Sequence, residues 1–464
     1  MERTVLCPLD GRYASRVGAL AQVMGESALA VNRVRAEVTW LKILAGLKLP
    51  LFKKLTVAEQ KILGKFCELT PADLELLAQL ENTGYKNIPA TRHDVKAVEY
   101  FLRLKLQNTS LKDRLNWLHF ALTSEDVNSV SYALMLADGV EKSILPSLKN
   151  LQKTLDRLAR KEARSVLLAR THGQPAVPTT FGKEIRVFTT RLSRQIKQLE
   201  QQQISCKFGG AVGNYNAHTA AFPGVNWRKA AVQFIAVLNK GRKTKLFLSP
   251  VSTQIDNRDA YAELFDNLRR INIILLGLAQ DMWRYISAGL VVQKTVAGEV
   301  GSSTMPQKVN PIDFENAEGN LQLANTLFTF FAQKLPLSRL QRDLSDSTVL
   351  RNMALAFGYS LVAYSSFEKG LAKISFNKQA AREELEQHPE ILAEAVQTIL
   401  RANGCDSAYE LLRDFTRGKK ITAFLLADFI DGLKVPASVK MQLHLLEVQN
   451  YVGYAVKFAE EKYD

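Results

Sequence analysis

With 464 residues the chain is long enough for two or three domains with sizeable cores, and its 47% apolar content excludes an intrinsically disordered protein. Four scattered cysteines with no C-x-x-C pair argue against a disulfide framework or a zinc site, and six histidines against a histidine-rich metal cluster. The formal charge of +15 contains no run of five or more basic residues and no RNA-recognition or zinc-finger motif, so it reads first as a solvated basic surface, with steering of a multiply anionic substrate as a second reading, and not as a nucleic-acid partner.

Arg3, Asp10 and Arg12 stand where a leader peptide would carry an apolar core, and the most apolar short run, residues 271–278, is far below the roughly 20 residues needed to cross a bilayer. A cytoplasmic protein with no membrane partner is therefore expected. In chain order, Asp10-Gly11-Arg12-Tyr13 is a turn signal. Apolar residues at helical spacing predict a helix over 26–47, closed by Pro50, then helices over 57–69 and 71–80. Arg92-His93-Asp94 enters a further helix, and its positive N-terminal end attracts anions. Asp94 also fits a plain capping acid.

Thr123-Ser124-Glu125-Asp126 opens another helix, a hydroxyl followed by acids in the first turn, which capping alone explains. Residues 141–161 continue as a long helix. At Arg170-Thr171-His172-Gly173-Gln174-Pro175 the helical pattern stops, and Gly173, Pro175 and Pro178 predict an irregular backbone. Helices are expected over 179–203, 259–288, 313–333 and 346–367. Gly209-Gly210-Ala211-Val212-Gly213-Asn214-Tyr215 lacks the Gly-Lys-Ser/Thr ending of a phosphate loop, so it reads as a tight turn that permits close helix packing. After residue 368 the helices shorten, with breaks near Pro389, Gly404, Gly418 and Pro436. No strand-rich region, repeat or low-complexity segment is apparent.

Between two of the long helices lies Gly301-Ser302-Ser303-Thr304-Met305-Pro306-Gln307-Lys308-Val309-Asn310-Pro311. Its prolines cannot continue a helix, and it gathers hydroxyls, a lysine and an asparagine in one polar loop, where chemistry tends to sit. This loop resembles the signature of the fumarase/aspartase superfamily, whose members cleave C–N or C–O bonds and release fumarate. Thr171-His172-Gly173-Gln174-Pro175 and Thr253-Gln254-Ile255 match further segments. Gln341-Arg342-Asp343-Leu344-Ser345-Asp346-Ser347-Thr348-Val349-Leu350-Arg351 resembles the nucleotide-binding segment of the branch that acts on succinylated purine nucleotides.

The resemblance implies an all-α, three-domain fold: an N-terminal helical domain (1–112), a central long-helix bundle with the signature loop (113–366, loop 298–311), and a C-terminal helical domain (367–464). The bundle would form the core of a homotetramer whose active sites draw on three chains. Such an enzyme needs a base for a carbon-bound proton and an acid for the departing nitrogen. His172, whose reference pKa of ~6.5 lets it carry a proton near neutrality, would be the acid. The resemblance selects Ser302 as the base, its ionised hydroxyl favoured by Lys308 and nearby amides. Glu315 would orient His172.

Implied substrate contacts are Arg12, Tyr13, Arg92, His93, Asp94, Thr123, Ser124, Gln254, Ser303, Asn310, Asn316, Arg342, Ser347, Thr348, Val349, Leu350 and Arg351. Gln307 stands where close relatives often have histidine. Arg92 stands where the pattern has asparagine, keeping donors but changing shape. No metal or organic cofactor is implied. A sister lyase acting on argininosuccinate, aspartate or malate stays open, as does a non-catalytic structural or RNA-binding member. The 341–351 segment argues against the first, and intact His172, Ser302 and Lys308 against the second.

Overall fold

Apolar residues three and four apart decide most of the chain. The computed structural model describes residues 5–50, 52–294, 305, 308–418 and 420–463, and the expected all-α architecture holds. The Glu26–Gly46 helix buries Leu29, Val34, Val38, Trp40, Leu41 and Leu44. Capping boxes start the next two helices, Val57–Lys65 and Pro71–Asn82: the hydroxyls of Thr56 and Thr70 accept from the Glu59 and Asp73 amides, whose carboxylates accept in return from the threonine amides. Helices Ala14–Met24 and Trp227–Leu238 were not anticipated from the pattern.

The chain divides into two compact units. One comprises Met1–Leu148, Gln195–Ile273 and Gly319–Ser365; the other comprises Lys149–Arg194, Ile274–Glu318 and Ser366–Asp464. The boundaries fall inside long helices rather than in linkers. In the first unit Trp40 anchors an aromatic cluster with Phe208 (4.8 Å between ring centres) and Phe234 (6.0 Å). His218 belongs to this cluster as a neutral imidazole, its pKa pulled down to about 4 by burial. Phe265 stacks on Phe328 at 5.8 Å, and Phe328 meets Phe357 edge-on at 5.7 Å. In the second unit Phe181 packs on Tyr285 and Phe376, and the short C-terminal helices close around Val396, Leu400, Leu412, Ile430 and Leu443.

Three places depart from the sequence reading. The helix read over 141–161 has no separate start, because Ser124–Gly139 runs on into it. The run passes through a π-helical turn, Val140–Ile144, into Leu145–Lys161, and within that turn the Glu141 carboxylate accepts from the Lys243 and Thr244 amides (3.0 and 3.3 Å). The stretch expected to be irregular is an antiparallel hairpin, Val166–Thr171 against Gln174–Thr180. Its prolines are tolerated because a two-stranded ribbon has only edges, so an outward-facing position needs no amide. The helix expected over 346–367 is two, Ser345–Arg351 and Met353–Ala372: the Asn352 side-chain amide donates to Thr348 O (2.8 Å) and closes the first. The remaining strand pairs are three residues long, Ile204–Cys206 with Leu246–Leu248 and Val291–Gln293 with Ile374–Phe376. Among the described residues no helix is long and apolar enough to cross a membrane.

The Gly209–Tyr215 turn serves a different purpose from helix packing. Gly213 has φ +81°, and a Cβ built there would lie 2.3 Å from Ser252 O and 2.9 Å from Thr253 O. The turn thus runs against the segment that leads to Gln254. Gly213→Ala combines a left-handed backbone with two backbone clashes and should destabilise by about 3 kcal/mol or more. Gly173→Ala, at φ +76° but with open space around the added carbon, should cost only about 1 kcal/mol. Urea unfolding midpoints of the two variants check the contrast.

Candidate active site

Several of the expected substrate residues converge in the first unit. A cavity of about 280 Å³ is lined by Arg92, His93, Asp94, Ser124, Arg342, Ser347 and Arg351, together with Arg33, Glu125 and others. His93 is the N-cap of the Asp94–Leu106 helix; its Nδ1 accepts from the Lys96 amide (3.4 Å), and its Nε2 lies 3.4 Å from Ser124 Oγ. Arg92, at φ +47°, precedes it on a left-handed backbone. Asp94 is bound to two guanidinium groups, Arg33 at 2.6 Å and Arg351 at 2.8 Å, and its other oxygen accepts from the Val95 amide (2.8 Å). Burial pushes this carboxyl up, but Arg33, the Val95 amide and Arg351 outweigh it and hold the pKa below the ordinary carboxylate value. Asp94 therefore orients Arg351 as well as facing the cavity.

Thr123 and Ser124 are fixed from beneath by Asp126. This carboxylate is fully buried and accepts from the amides of Thr123 (2.9 Å), Gly209 (2.8 Å) and Gly210 (3.0 Å), while Lys207 Nζ, also fully buried, stands 2.7 Å away. Gln254 Oε1 accepts from Arg342 (3.4 Å). In the Ser345–Arg351 helix, Leu350 is buried, Ser347 and Val349 are half-buried, and Thr348 and Arg351 are exposed. Arg12 and Tyr13 lie on the turn before the first helix, with Arg16 5.5 Å over the tyrosine ring, and do not line this cavity.

The other candidates belong to the second unit. His172 stands exposed at the hairpin tip, where it and Gly173 form a two-residue turn with φ +54° and +76°. Two consecutive positive φ values define the primed turn that matches strand twist. The hairpin is anchored by an ion pair between Arg170 and Glu384. Glu315 Oε1 accepts from the Trp283 indole (3.2 Å), and among the described residues no hydrogen bond joins Glu315 to His172. Asn316 Oδ1 accepts from Ser366 Oγ (2.7 Å). Lys308 is exposed and its amide donates to Met305 O (3.0 Å); Asn310 is half-buried. Ser302, Ser303 and most of the 298–311 loop lie outside the described residues.

Two matches to known families fall on this framework. Residues 87–324 match a family described as lyase, and residues 338–452 match the adenylosuccinate lyase C-terminal family. The chain is 44% identical over 463 residues to the adenylosuccinate lyase of Haemophilus influenzae, covering 99% of this chain and 98% of that one. It is 43% identical to the Escherichia coli K12 enzyme of that name (99% and 98% covered) and 41% to that of Dictyostelium discoideum (98% and 97%). The chain belongs to the adenylosuccinate lyase family. The fold agrees: a fumarate lyase from Mesorhizobium sp. BNC1 superposes with TM-score 0.74 at 20% identity (95% and 96% covered). A 3-carboxy-cis,cis-muconate lactonizing enzyme from Pseudomonas putida superposes with TM-score 0.71 at 19% identity (95% of each).

In this family member, several residues that shape the site were not picked out from the sequence. Arg33 and Glu37 sit four apart on the Glu26–Gly46 helix, and both are buried. Two charges inside an otherwise apolar stripe were a legible signal. Arg33 reaches Asp94 and Asn128 (2.8 Å). Glu37 reaches His119: one oxygen accepts from its amide (3.0 Å) and the other meets Nδ1 at 2.5 Å. His119 and Ala121 both have positive φ, and the Trp40 indole donates to Phe120 O (3.0 Å). The strained connection into Thr123-Ser124 is thus clamped by one helix.

Burial lowers the His119 pKa, but the Glu37 contact more than compensates and raises it above its ordinary value. A raised folded pKa adds stability that is complete below the unfolded value and is lost as pH rises through the folded one. The thermal-stability advantage of the native chain over Glu37→Gln should therefore be full in mild acid and narrow as pH rises above the ordinary histidine value of about 6.5. Melting curves of both proteins from mild acid upward check it.

Proposed function

We propose that this chain releases fumarate from adenylosuccinate, leaving AMP, and from the succinylated aminoimidazole carboxamide ribotide (SAICAR), leaving AICAR, in purine nucleotide synthesis. What carries the reading is the cavity of the first unit. Arg33, Arg92, Arg342 and Arg351 face it beside Ser124 and Ser347, a concentration of donors suited to phosphate and carboxylate, in a chain related over nearly its whole length to adenylosuccinate lyases.

In the proposed chemistry the ionised Ser302 hydroxyl takes the proton from the carbon next to a succinyl carboxylate. The electron pair is held on that carboxylate, where Lys308, Asn310 and Ser303 stabilise it. It then forms the carbon–carbon double bond as the C–N bond breaks, and His172 gives its proton to the leaving nitrogen. Arg342, Ser347 and Arg351 hold the phosphate, and Gln254 and Asn316 hold the succinyl portion. The scheme needs neither metal nor organic cofactor.

The acting species is proposed to be a cytoplasmic homotetramer with sites shared between chains. Three observations support it. His172 projects from a hairpin tip without a bond to Glu315. Leu323 and Phe330, seven apart on the Ile312–Lys334 helix, are 53% and 48% exposed, an apolar face suited to self-association. All four cysteines are free. Purified protein should release fumarate from adenylosuccinate and not from argininosuccinate, aspartate or malate. Ser302→Ala and His172→Gln should each lower kcat by about 100-fold or more. Full turnover by Ser302→Ala would overturn the assignment of the base, and sedimentation at a mass other than four chains would overturn the assembly.

A further inference from the structure

We infer that Arg258, outside every motif identified in the sequence, is a positioning residue that neutralises two buried carboxylates so that Arg342 remains available to the substrate phosphate. The inference rests on the proposed assignment of Arg342, Ser347 and Arg351 to that phosphate. Arg258 is almost wholly buried, as are Glu125 and Asp346, its two partners. One guanidinium nitrogen lies 3.0 Å from Glu125 Oε1 and the other 2.6 Å from Asp346 Oδ2. Arg342 shares the same two carboxylates from the cavity side, 3.2 Å from Glu125 Oε2 and 3.9 Å from Asp346 Oδ1. Two cations and two anions therefore form a closed group of net charge zero.

Each member belongs to a different part of the candidate site. Glu125 follows Ser124 directly. Asp346 precedes Ser347. Arg258 lies four residues after Gln254, which itself accepts from Arg342. The Arg258 backbone is held at φ +59°, with its amide donating to Asp256 Oδ2 (2.9 Å), so the side chain is aimed inward by a fixed turn.

Removing the Arg258 charge changes the sum. Glu125 and Asp346 would face Arg342 alone, leaving one net negative charge under the site. Buried carboxylates with one partner missing hold the remaining guanidinium tightly and repel a phosphate dianion. A neutral ligand portion would be affected far less.

The test compares adenylosuccinate with the same compound lacking its phosphate, the succinylated nucleoside, using the full-length protein. Arg258→Met should raise KM for the phosphorylated substrate by about tenfold or more while kcat/KM for the nucleoside changes by less than about threefold. Arg258→Lys, which keeps the charge but not the fork, should fall between. The double variant Arg258→Met/Asp346→Asn restores the balance of charge and should recover part of the preference for phosphate; it also serves if the single variant does not fold. Equal losses on both substrates, or an unchanged preference in all Arg258 variants, would overturn the inference. Arg351→Ala separates the two levels. If it abolishes the preference while the Arg258 variants do not, only the role of Arg258 fails. If it leaves the preference intact, the phosphate assignment fails and this inference with it.

Discussion

The carboxylate of Asp126 is the constraint on which the rest of the first unit depends. It is wholly out of water, and so is the Lys207 ammonium beside it. An uncompensated charge at such depth costs several kcal/mol, so the pair must form and its surroundings must conform to it. Three backbone amides complete its shell, one from the start of the Ser124–Gly139 helix and two from the glycine turn. That shell brings the hydroxyl pair Thr123-Ser124 into register with the turn. The turn in turn lies against Ser252 and Thr253 at a distance only glycine permits. A local electrostatic demand is thereby converted into the relative placement of segments more than eighty residues apart.

A second device serves the opposite wall. The Glu26–Gly46 helix presents a buried cation and a buried anion one turn apart, Arg33 toward Asp94 and Glu37 toward His119. Because i and i+4 share a helix face, both contacts are referred to one rigid rod. The excess positive charge of the chain is diffuse, but within the cavity it is organised: Arg33 and Arg351 are both aimed by Asp94, and Arg342 by Glu125. Burial pushes Glu125 above its ordinary pKa even with Arg258 and Arg342 alongside, in keeping with its near-complete burial.

The long helices were legible because their apolar spacing is set by packing and survives in any single sequence. Glu26–Gly46, Asp259–Ser287 and Ile312–Lys334 were each expected within one or two residues of where they lie. The hairpin around His172 was not, because Pro175 and Pro178 normally argue against a strand and the argument weakens only where both strands are edges. The break at Asn352 depends on one side-chain bond that no periodicity records. Of the site, the residues in recognisable segments were legible, whereas Arg258 and His119 were not. Their partners stand 133 and 82 positions away in the chain, and only the fold makes them neighbours.

The two-residue tip that carries His172 has a geometric consequence. A turn this short has no slack: adding one residue would shift the pairing of the strands and turn every following side chain to the other face of the ribbon. The imidazole is therefore carried like a fitting at the end of a stiff arm, its direction set by Thr171 and Gln174 and its reach by the length of the ribbon. The register shift between Leu168 and Arg170 shows where this ribbon takes up an odd residue, in the body of the strands and not at the tip that carries the ring.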